Sequence, residues 1–484
     1  MMNPPNGVSR LDILPHWLWA ATLFTVPVTS FRYFPAGEGT YVRPLAFFPL
    51  ALLLLTLAFQ ALAGRRSMPR AGSLTPLAAF VLIALASSLV GLLLAPVPLR
   101  GQDIGARVIR AWITLLMGFG FFLGAVWMNR TETEWRFSVR WLLAGLVLDV
   151  LWSGLQAATF YLELLPKPLV TQWQRMFSLR ELIRTNRISG MAYEPSWLAG
   201  QIATVYLPWL LAAVLTRVHI SRFRWLEPCL LVVACALVVA TYSRGGILTT
   251  AASLGLTLLL AGRSEIRAAW AWLLAGFDRG REAALRIGIV ALLLISAASA
   301  AFLLAQKGYI SRLWDRRAED LSEFLIVNSA GARGAYLASA METYEDYPWT
   351  GVGLGASGLY MYSRLPDWAL TTVPEIARQL SPESSLYPNP KNLYLRLLAE
   401  TGILGLVLFL AFQSSLLGDA LAALRRGAAS WRFLGIAGLC TWLALLSYNM
   451  TQDSLATPNL WLNFGILAGV AGVGDQADGR RHLR

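Results

Sequence analysis

The segment NPKNLYLRLLAETGILGLVLFL, residues 389–410, joins a polar, cationic loop to a long apolar stretch without a linker between them. The apolar part has the length and composition of a membrane-crossing helix. Lys391, Arg396 and Glu400 are therefore expected at or just inside a membrane surface. Charge at that depth is costly unless it pairs, meets water or handles a charged ligand. The segment predicts a membrane protein with a polar site at the bilayer surface.

The composition indicates the same class. Of 484 residues, 56% are hydrophobic and 14% are charged, and the mean hydropathy is +0.53. Since a spanning helix needs roughly 20 apolar residues, we predict an all-α, polytopic protein with one transmembrane domain, residues 1–484. No cleavable signal peptide is expected. The predicted spans, about twelve by this length criterion, are centred near residues 23, 54, 85, 117, 148, 207, 234, 253, 296, 403, 441 and 467.

Arginine in short loops predicts the orientation, because it accumulates on the cytoplasmic side. Every cluster falls on one side if both termini are cytoplasmic. The two longest loops, 160–195 and 307–391, then lie outside and are expected to contain short amphipathic helices, including one over residues 310–325. A further helix is expected over 330–344. The arginines that set this orientation are Arg65, Arg66, Arg70, Arg130, Arg136, Arg140, Arg217, Arg222, Arg224, Arg263, Arg267, Arg279, Arg281, Arg286, Arg425, Arg426, Arg432, Arg480, Arg481 and Arg484.

The orientation depends on whether residues 228–260 form one helix or two. A single helix would bury Arg244 near the bilayer centre, at roughly 2.5 to 3.5 kcal/mol on insertion scales. We therefore predict two spans broken at YSRGG, residues 242–246, with Gly245 and Gly246 allowing the chain to reverse.

Charge and rare residues exclude other classes. The net charge of +13 is spread over membrane-flanking loops, which does not indicate a nucleic-acid partner. The cysteines predict neither a disulfide framework nor a metal cluster, and no histidine is expected on the outer face. We expect no metal and no other cofactor. The residues concerned are Cys229, Cys235, Cys440, His16, His219 and His482.

Four polar segments converge on the outer face in this topology. The first, RTNRISGMAYEPSW at 184–197, places Glu194 before Pro195 at the start of a helix, a favourable position for an anion. Glu194 is then either a solvated cap residue or a base that orients a hydroxyl group. The second is Arg244, whose rigid fork of donors suits phosphate oxygens but also suits snorkelling at a helix end.

The third and fourth segments lie late in the chain. Arg333 lies among small residues on the predicted helix 330–344. The segment PWTGVGLG, residues 348–355, comes after this helix. The alternate glycines of this segment indicate a turn. They do not form a nucleotide-binding motif, because such a motif requires a preceding strand. In the opening segment, Lys391 and Arg396 are interfacial anchors or phosphate ligands, and Tyr394 suits an aromatic belt.

The order of these motifs resembles the bacterial O-antigen polymerase and ligase superfamily. They are RxxG with EPSW at 187–197, SRGG at 243–246, Arg333 with PWTGVGLG, and KNLYLRLLAETGILG at 391–405. The resemblance covers about 187–410 in its motifs. It implies glycosyl transfer from an undecaprenyl-diphosphate carrier on the periplasmic side of the inner membrane, without nucleotide sugar or metal.

The resemblance also implies roles for individual residues. Arg244 and Arg333 are similar to diphosphate-binding arginines, Arg187 to a third basic contact, and Glu194 is the best candidate for the base. Ligases of the superfamily carry histidine before the motif's asparagine, whereas this chain has Lys391, which is protonated at neutral pH. This favours the polymerase branch. The predicted contacts to the lipid-linked oligosaccharide donor and acceptor are Arg187, Tyr193, Lys391, Asn392, Tyr394 and Arg396.

Two alternatives stay open at this point. A ligase, to lipid A-core or to a protein hydroxyl, differs from a polymerase only in its acceptor. A transporter or flippase of lipid-linked sugar should carry ionisable residues along a midplane path, whereas here most lie at span ends and Asp149 is an exception. The lipid bilayer is an expected partner, and a chain-length regulator protein is a further one for a polymerase.

Overall fold

The computed structural model describes residues 10–35, 40–69, 71–99, 101–182, 186–274, 283–288, 331–381 and 387–482, with scattered positions from 290 to 298. Within these ranges the chain is helical, and its β-bridges are isolated pairs. The predicted all-α class is therefore confirmed. The predicted amphipathic helix over 310–325 lies outside the described residues.

The helices of the first part of the chain are α1 (Arg10–Phe24), α2 (Phe47–Leu62), α3 (Leu74–Leu94), α4 (Ile104–Met128), α5 (Glu132–Tyr161), α6 (Lys167–Arg175), α7 (Pro195–Gln201), α8 (Leu207–Thr216), α9 (Leu226–Ala240), α10 (Arg244–Ala261) and α11 (Arg263–Leu274). A π-helical turn, Ile202–Tyr206, joins α7 to α8.

The later helices are α12 (Gly331–Asp346), α13 (Ser357–Met361), α14 (Asp367–Thr372), α15 (Pro374–Leu380), α16 (Leu393–Arg425), α17 (Ala429–Tyr448) and α18 (Leu462–His482). Short 3₁₀ turns cover Tyr362–Arg364 and Pro458–Leu460. Helix α12 lies where a helix over 330–344 is predicted.

The described part of the chain contains seven helical stretches long and apolar enough to cross a membrane: α3, α4, α5, the continuous stretch from α7 to α8, α10, α16 and α17. Shorter apolar helices are Ile13–Phe24, α2 and α9. The chain is therefore a multi-pass membrane protein. Every predicted span centre except the one near residue 296, which lies largely outside the described residues, falls within a helix. The total of about twelve spans stays a prediction.

Aromatic side chains fill the space between α4, α16 and α18. The rings of Phe122 and Phe412 have centroids 5.4 Å apart, and Trp461 lies 6.0 Å from Phe412. All three side chains belong to the buried core. Edge-to-face aromatic pairs stabilise a fold beyond the area that they bury. This cluster therefore fixes α16, whose polar N-terminal part is described below, against its neighbours.

The π-helical turn has its own hydrogen-bond partner. The Nδ2 of Asn463 donates to the carbonyl oxygens of Thr204 and Val205, at 2.8 and 3.1 Å. Its Oδ1 accepts from Trp209 Nε1 at 2.8 Å. Because backbone polar groups in a bilayer need internal partners, this buried asparagine makes the irregular turn tolerable.

Two helices replace the single one that residues 228–260 could have formed, as predicted. The glycines do not reverse the chain, however, and that part of the prediction is wrong. Gly245 and Gly246 lie inside the first turn of α10, and the left-handed residue is Tyr242, at φ 50°. Ser243 then caps α10, since its Oγ accepts from the N–H of Gly246 at 3.2 Å.

Helix α16 is broken, which the sequence did not predict. Gly402 has φ 64° and ψ −171°, so the helical path ends there and starts again. The Tyr394 hydroxyl lies 3.5 Å from Gln413 Oε1, although residues 19 positions apart on a straight helix would be about 28 Å apart. The polar segment therefore does not continue straight into the apolar helix.

The glycine-rich stretch 348–355 docks at this break. The N–H groups of Val352 and Gly353 donate to the carbonyls of Ala399 and Glu400, at 3.0 and 2.9 Å. The N–H of Ile403 donates to the Pro348 carbonyl at 2.9 Å. The predicted turn thus supplies the hydrogen bonds that a broken helix would otherwise leave unmade.

Candidate active site

The N-terminus of α10 carries the first predicted phosphate ligand, Arg244. Its neighbour is Arg187, whose Nε donates to the Thr241 carbonyl at 2.9 Å and whose Nη2 donates to the Tyr242 carbonyl at 3.2 Å. Arg187 is exposed and Arg244 is half-buried. Two guanidinium groups predicted as substrate ligands are therefore attached to one turn, beside a helix N-terminus that also favours anions.

Helix α7 brings the predicted base to the same place. Glu194 is its N-cap residue, in an extended conformation at φ −127°, and Pro195 follows at the first helical position. The Glu194 side chain does not cap the helix. Its Oε2 accepts a hydrogen bond from Ser196 Oγ at 3.2 Å, which orients the carboxylate. The residue is half-buried.

The two helix N-termini meet because α10 lacks a side chain at Gly246. A Cβ there would collide with the Cβ of Ala199 on α7. This contact joins the turn that carries Arg187 and Arg244 to the helix that begins at Glu194.

A set of buried polar side chains holds the backbone between Arg187 and Glu194. Gln156 Oε1 accepts from the N–H groups of Ser189 and Gly190, each at 3.0 Å, and its Nε2 donates to the Gly190 carbonyl at 2.9 Å. Asp149 Oδ1 accepts from the N–H of Met191 at 2.8 Å. Asp149, the ionisable exception within the spans, therefore supports this loop.

Tyr193 lies in an aromatic stack. Its ring is 4.6 Å from that of Tyr41 with an interplanar angle of 13°, and its N–H donates to Thr29 Oγ1 at 3.0 Å. Burial, followed by the proximity of Tyr41 and Glu194, raises the pKa of Tyr193 to about 12. The hydroxyl is therefore protonated at neutral pH and can donate a hydrogen bond to a substrate.

Arg180 interacts electrostatically with this group of residues, and the sequence did not single it out. It is half-buried, and its charge interacts with those of Glu194 and Arg187. Burial lowers the pKa of Arg180, against the attraction of Glu194. It follows a polar stretch in which nothing marks one arginine over another, so only the folded chain distinguishes it.

The start of α16 is fixed by local contacts. Asn392 is the N-cap, and its Oδ1 accepts from the N–H of Leu395 at 3.1 Å. Lys391 has φ 51°, its N–H donates to Asp453 Oδ2 at 3.2 Å, and its Nζ lies 3.4 Å from Glu375 Oε1. Both residues, predicted as substrate ligands, thus have structural partners, and their binding roles stay predictions.

Arg396 forms an internal ion pair. Its Nε lies 3.1 Å from both carboxylate oxygens of Glu400, whose side chain is 2% exposed, and its Nη1 donates to the Asp453 carbonyl at 2.6 Å. Ser357 Oγ donates to Glu400 Oε1 at 2.8 Å. Paired in this way, Arg396 positions the segment, and a phosphate would have to compete with Glu400 for it.

Tyr394 contacts the neighbouring helix α17, and its place in an aromatic belt stays a prediction. Its half-buried ring packs against the core, and its hydroxyl lies 3.4 Å from the Leu446 carbonyl on α17. A direct contact with substrate remains a prediction for this residue.

The loop after α17 connects the residues at the N-terminus of α10 with those at the start of α16. The sequence did not predict this connection. Thr451 lies beside Gly245 of α10, and Asp453 contacts both Lys391 and Arg396. Burial raises the pKa of Asp453, while the nearby Arg396 acts in the opposite direction. The ends of α10 and α16 are thereby held in one polar region.

Arg333 is carried by a different helix. It is exposed in the first turn of α12, whose other face packs Ala335 and Tyr336 against Ala399 of α16. Among the described residues its side chain makes no hydrogen bond or ion pair. The structure therefore brings Arg187, Arg244 and Glu194 together but does not place Arg333 in contact with them.

One comparison bears on these residues. The segment 229–410 matches the family model Wzy_C, described as O-Antigen ligase. No curated protein matches the chain. The matched segment includes Arg244, Arg333 and Lys391, whereas Arg187 and Glu194 precede it. Over residues 229–410, this multi-pass membrane protein is thus similar to the O-antigen ligase family, which supports a relation to the O-antigen ligase and polymerase superfamily.

Proposed function

We propose that the chain is a metal-independent glycosyltransferase that acts at the periplasmic face of a bacterial inner membrane, with both termini in the cytoplasm. Its donor would be an oligosaccharide on undecaprenyl diphosphate. The family match supports an enzyme of this superfamily. The observation that carries the proposal is the attachment of Arg187 to the turn that begins α10 at Arg244, with Glu194 on the adjoining helix.

These residues suit the chemistry of such a transfer. An acceptor hydroxyl oxygen bonds to the anomeric carbon, the bond from that carbon to the diphosphate oxygen breaks, and the carrier diphosphate leaves. Arg187 and Arg244 would stabilise the charge that develops on the leaving oxygen, in the way that preorganised donors stabilise oxyanions. The positive end of the α10 dipole adds to this effect.

Glu194 is the proposed base. It would accept the proton of the acceptor hydroxyl as the glycosidic bond forms, a role that carboxylates fill in other glycosyl transfers. Ser196 donates to one of its oxygens, so the carboxylate has a fixed orientation. Arg333, which is exposed, is available to the diphosphate of a bound donor.

We infer a polymerase, in which the acceptor is another carrier-linked repeat of O-antigen or exopolysaccharide. The support is Lys391. Its ammonium group is paired with Glu375 and is a poor base in its charged state, whereas a ligase of this superfamily is expected to hold histidine there. The family description, O-Antigen ligase, favours the second candidate, a transfer to lipid A-core or to a protein hydroxyl.

A reconstitution separates the two acceptors. Purified protein in liposomes would receive carrier-linked repeats alone, and then the same donor with lipid A-core or a hydroxyl-bearing protein. A ladder of longer carrier-linked chains from repeats alone supports the polymerase. Transfer only when the second acceptor is present supports the ligase. Movement of the repeats across the bilayer without any new glycosidic bond would contradict both.

A further inference from the structure

The guanidinium group of Arg180 has a buried donor without an acceptor. Its Nε is shielded from solvent and has no hydrogen-bond partner among the described residues. Guanidinium N–H groups in folded proteins are nearly always paired, because a buried donor that lacks an acceptor loses its hydration without compensation. A donor in this state is therefore suited to an acceptor that arrives with a ligand.

The backbone around Arg180 is held in place. Ser178 pairs with Phe31 in an isolated β-bridge, and the N–H of Leu179 donates to the Ser30 carbonyl at 3.1 Å. The N–H of Arg180 itself donates to Ser178 Oγ at 3.2 Å. The fold thus holds the backbone from which the Arg180 side chain extends.

The charges around Arg180 leave room for an anion. Glu194 attracts the guanidinium and Arg187 repels it. Two arginines, Arg180 and Arg187, against one carboxylate give the group a net positive charge, and Glu194 is already oriented by Ser196.

We infer that Arg180 is a third anion-binding residue of this site, and that its Nε–H and one Nη–H bind an oxygen pair of the donor's diphosphate. The fork geometry of guanidinium matches such oxygens. The inference deepens the proposed function and rests on it. It adds a ligand from the first outer loop, outside the segment 229–410 that matches the family model.

The test compares binding of farnesyl diphosphate to purified protein with Arg180 unchanged, Arg180→Ala or Arg180→Lys. Arg175→Ala is the matched control, since Arg175 is on the same loop, 51% exposed, with Glu181 as its ion-pair partner at 3.8 Å. We expect Arg180→Ala to raise the dissociation constant about ten-fold or more, Arg180→Lys to raise it less, and Arg175→Ala to leave it unchanged. Neutral farnesol reports on binding of the lipid tail alone.

Thermal unfolding of the same variants distinguishes binding from a structural role. Because the buried Nε has no partner, Arg180→Ala should not lower the melting temperature of the ligand-free protein. Unchanged affinity in Arg180→Ala, or weakened affinity that only accompanies a lower melting temperature, overturns the inference. If the unaltered protein binds farnesyl diphosphate no better than farnesol, the proposed function fails as well.

Discussion

Ala199 of α7 occupies the space that a side chain at Gly246 of α10 would need. The contact brings the helix that starts at Glu194 against the helix that starts at Arg244. Two helix N-termini that are far apart in sequence thus share one surface, and the separation between the proposed base and the proposed phosphate ligand depends on the absence of a single methyl group.

Gly246→Ala should push these helices apart. Overpacking typically costs about 1–3 kcal/mol, so we expect a lower melting temperature in detergent and a marked loss of chain extension. Gly255→Ala is the control, because it lies on the same helix with open space around it. Equal behaviour of the two variants would show that the contact does not set the site.

Arg244→Ala should abolish polymer while the protein still accumulates in the membrane. Loss of one preorganised donor costs about 2.7 to 4 kcal/mol in comparable anion sites, which corresponds to a rate at least about a hundred-fold lower. Arg333→Ala is expected to act in the same direction. Arg378→Ala, an exposed arginine on α15, serves as the control in gels of surface glycan. Wild-type chain length in the Arg244 or Arg333 variant would remove that residue from the site.

Glu194→Gln should block turnover more than donor binding. Glutamine keeps the size and an acceptor oxygen but cannot take up the acceptor's proton. We expect the maximal rate to fall at least about a hundred-fold, with farnesyl diphosphate binding nearly unchanged. Glu181→Gln, an exposed carboxylate on the same outer loop, should be silent in both measurements. Full activity of Glu194→Gln would rule out the proposed base.

Substitutions at Asp149 should affect the site indirectly, through the loop that Asp149 supports. Asp149→Leu leaves the N–H of Met191 without its acceptor, which costs about 1–3 kcal/mol for a buried donor. Asp149→Asn keeps an acceptor oxygen and should retain much of the activity. The measurement is the rate of chain extension alongside the melting temperature. If asparagine is as damaging as leucine, the carboxylate has a role beyond holding the loop.

The buried carboxyl of Asp453 predicts a pH effect on stability. Its pKa is raised above the ordinary 3.8 in the folded protein, so the folded state binds the proton more tightly than the unfolded state. The stabilising contribution is then fully present below 3.8 and is lost as the pH rises through the raised value. Asp453→Asn should therefore gain melting temperature relative to the unaltered protein at neutral pH and lose that advantage at acidic pH. The exposed Asp367→Asn is the control, and a constant difference across the pH range would contradict the prediction.

The sequence predicted those features of the fold that depend on residues close together in the chain. The break before Arg244 followed from the cost of a guanidinium within the bilayer, and the helix start at Pro195 followed from the missing N–H of proline. The family resemblance predicted Arg187 and the position before Pro195 predicted Glu194, and the fold places both beside the α10 turn.

Other features depended on contacts between distant segments. Nothing in LLAETGILG distinguishes a broken helix from a continuous one, because the break at Gly402 is stabilised by the loop 348–355. Asp453 and Thr451 are ordinary loop residues until α17 carries them to α10 and α16. Arg180 acquires its distinctive surroundings only in the folded chain, where the segment near residue 30 pairs with Ser178 and Leu179. Hydrogen bonds of this kind leave no periodic pattern in the sequence.

The break at Gly402 also determines how the protein matches the thickness of its membrane. An unbroken helix from Leu393 to Arg425 would be about 50 Å long, well beyond a hydrocarbon core of roughly 30 Å. The part from Ile403 to Arg425 is about 35 Å long and can cross with a modest tilt. In a thicker or thinner bilayer this part can change its tilt, while the hydrogen bonds of the 348–355 loop hold the polar part in place.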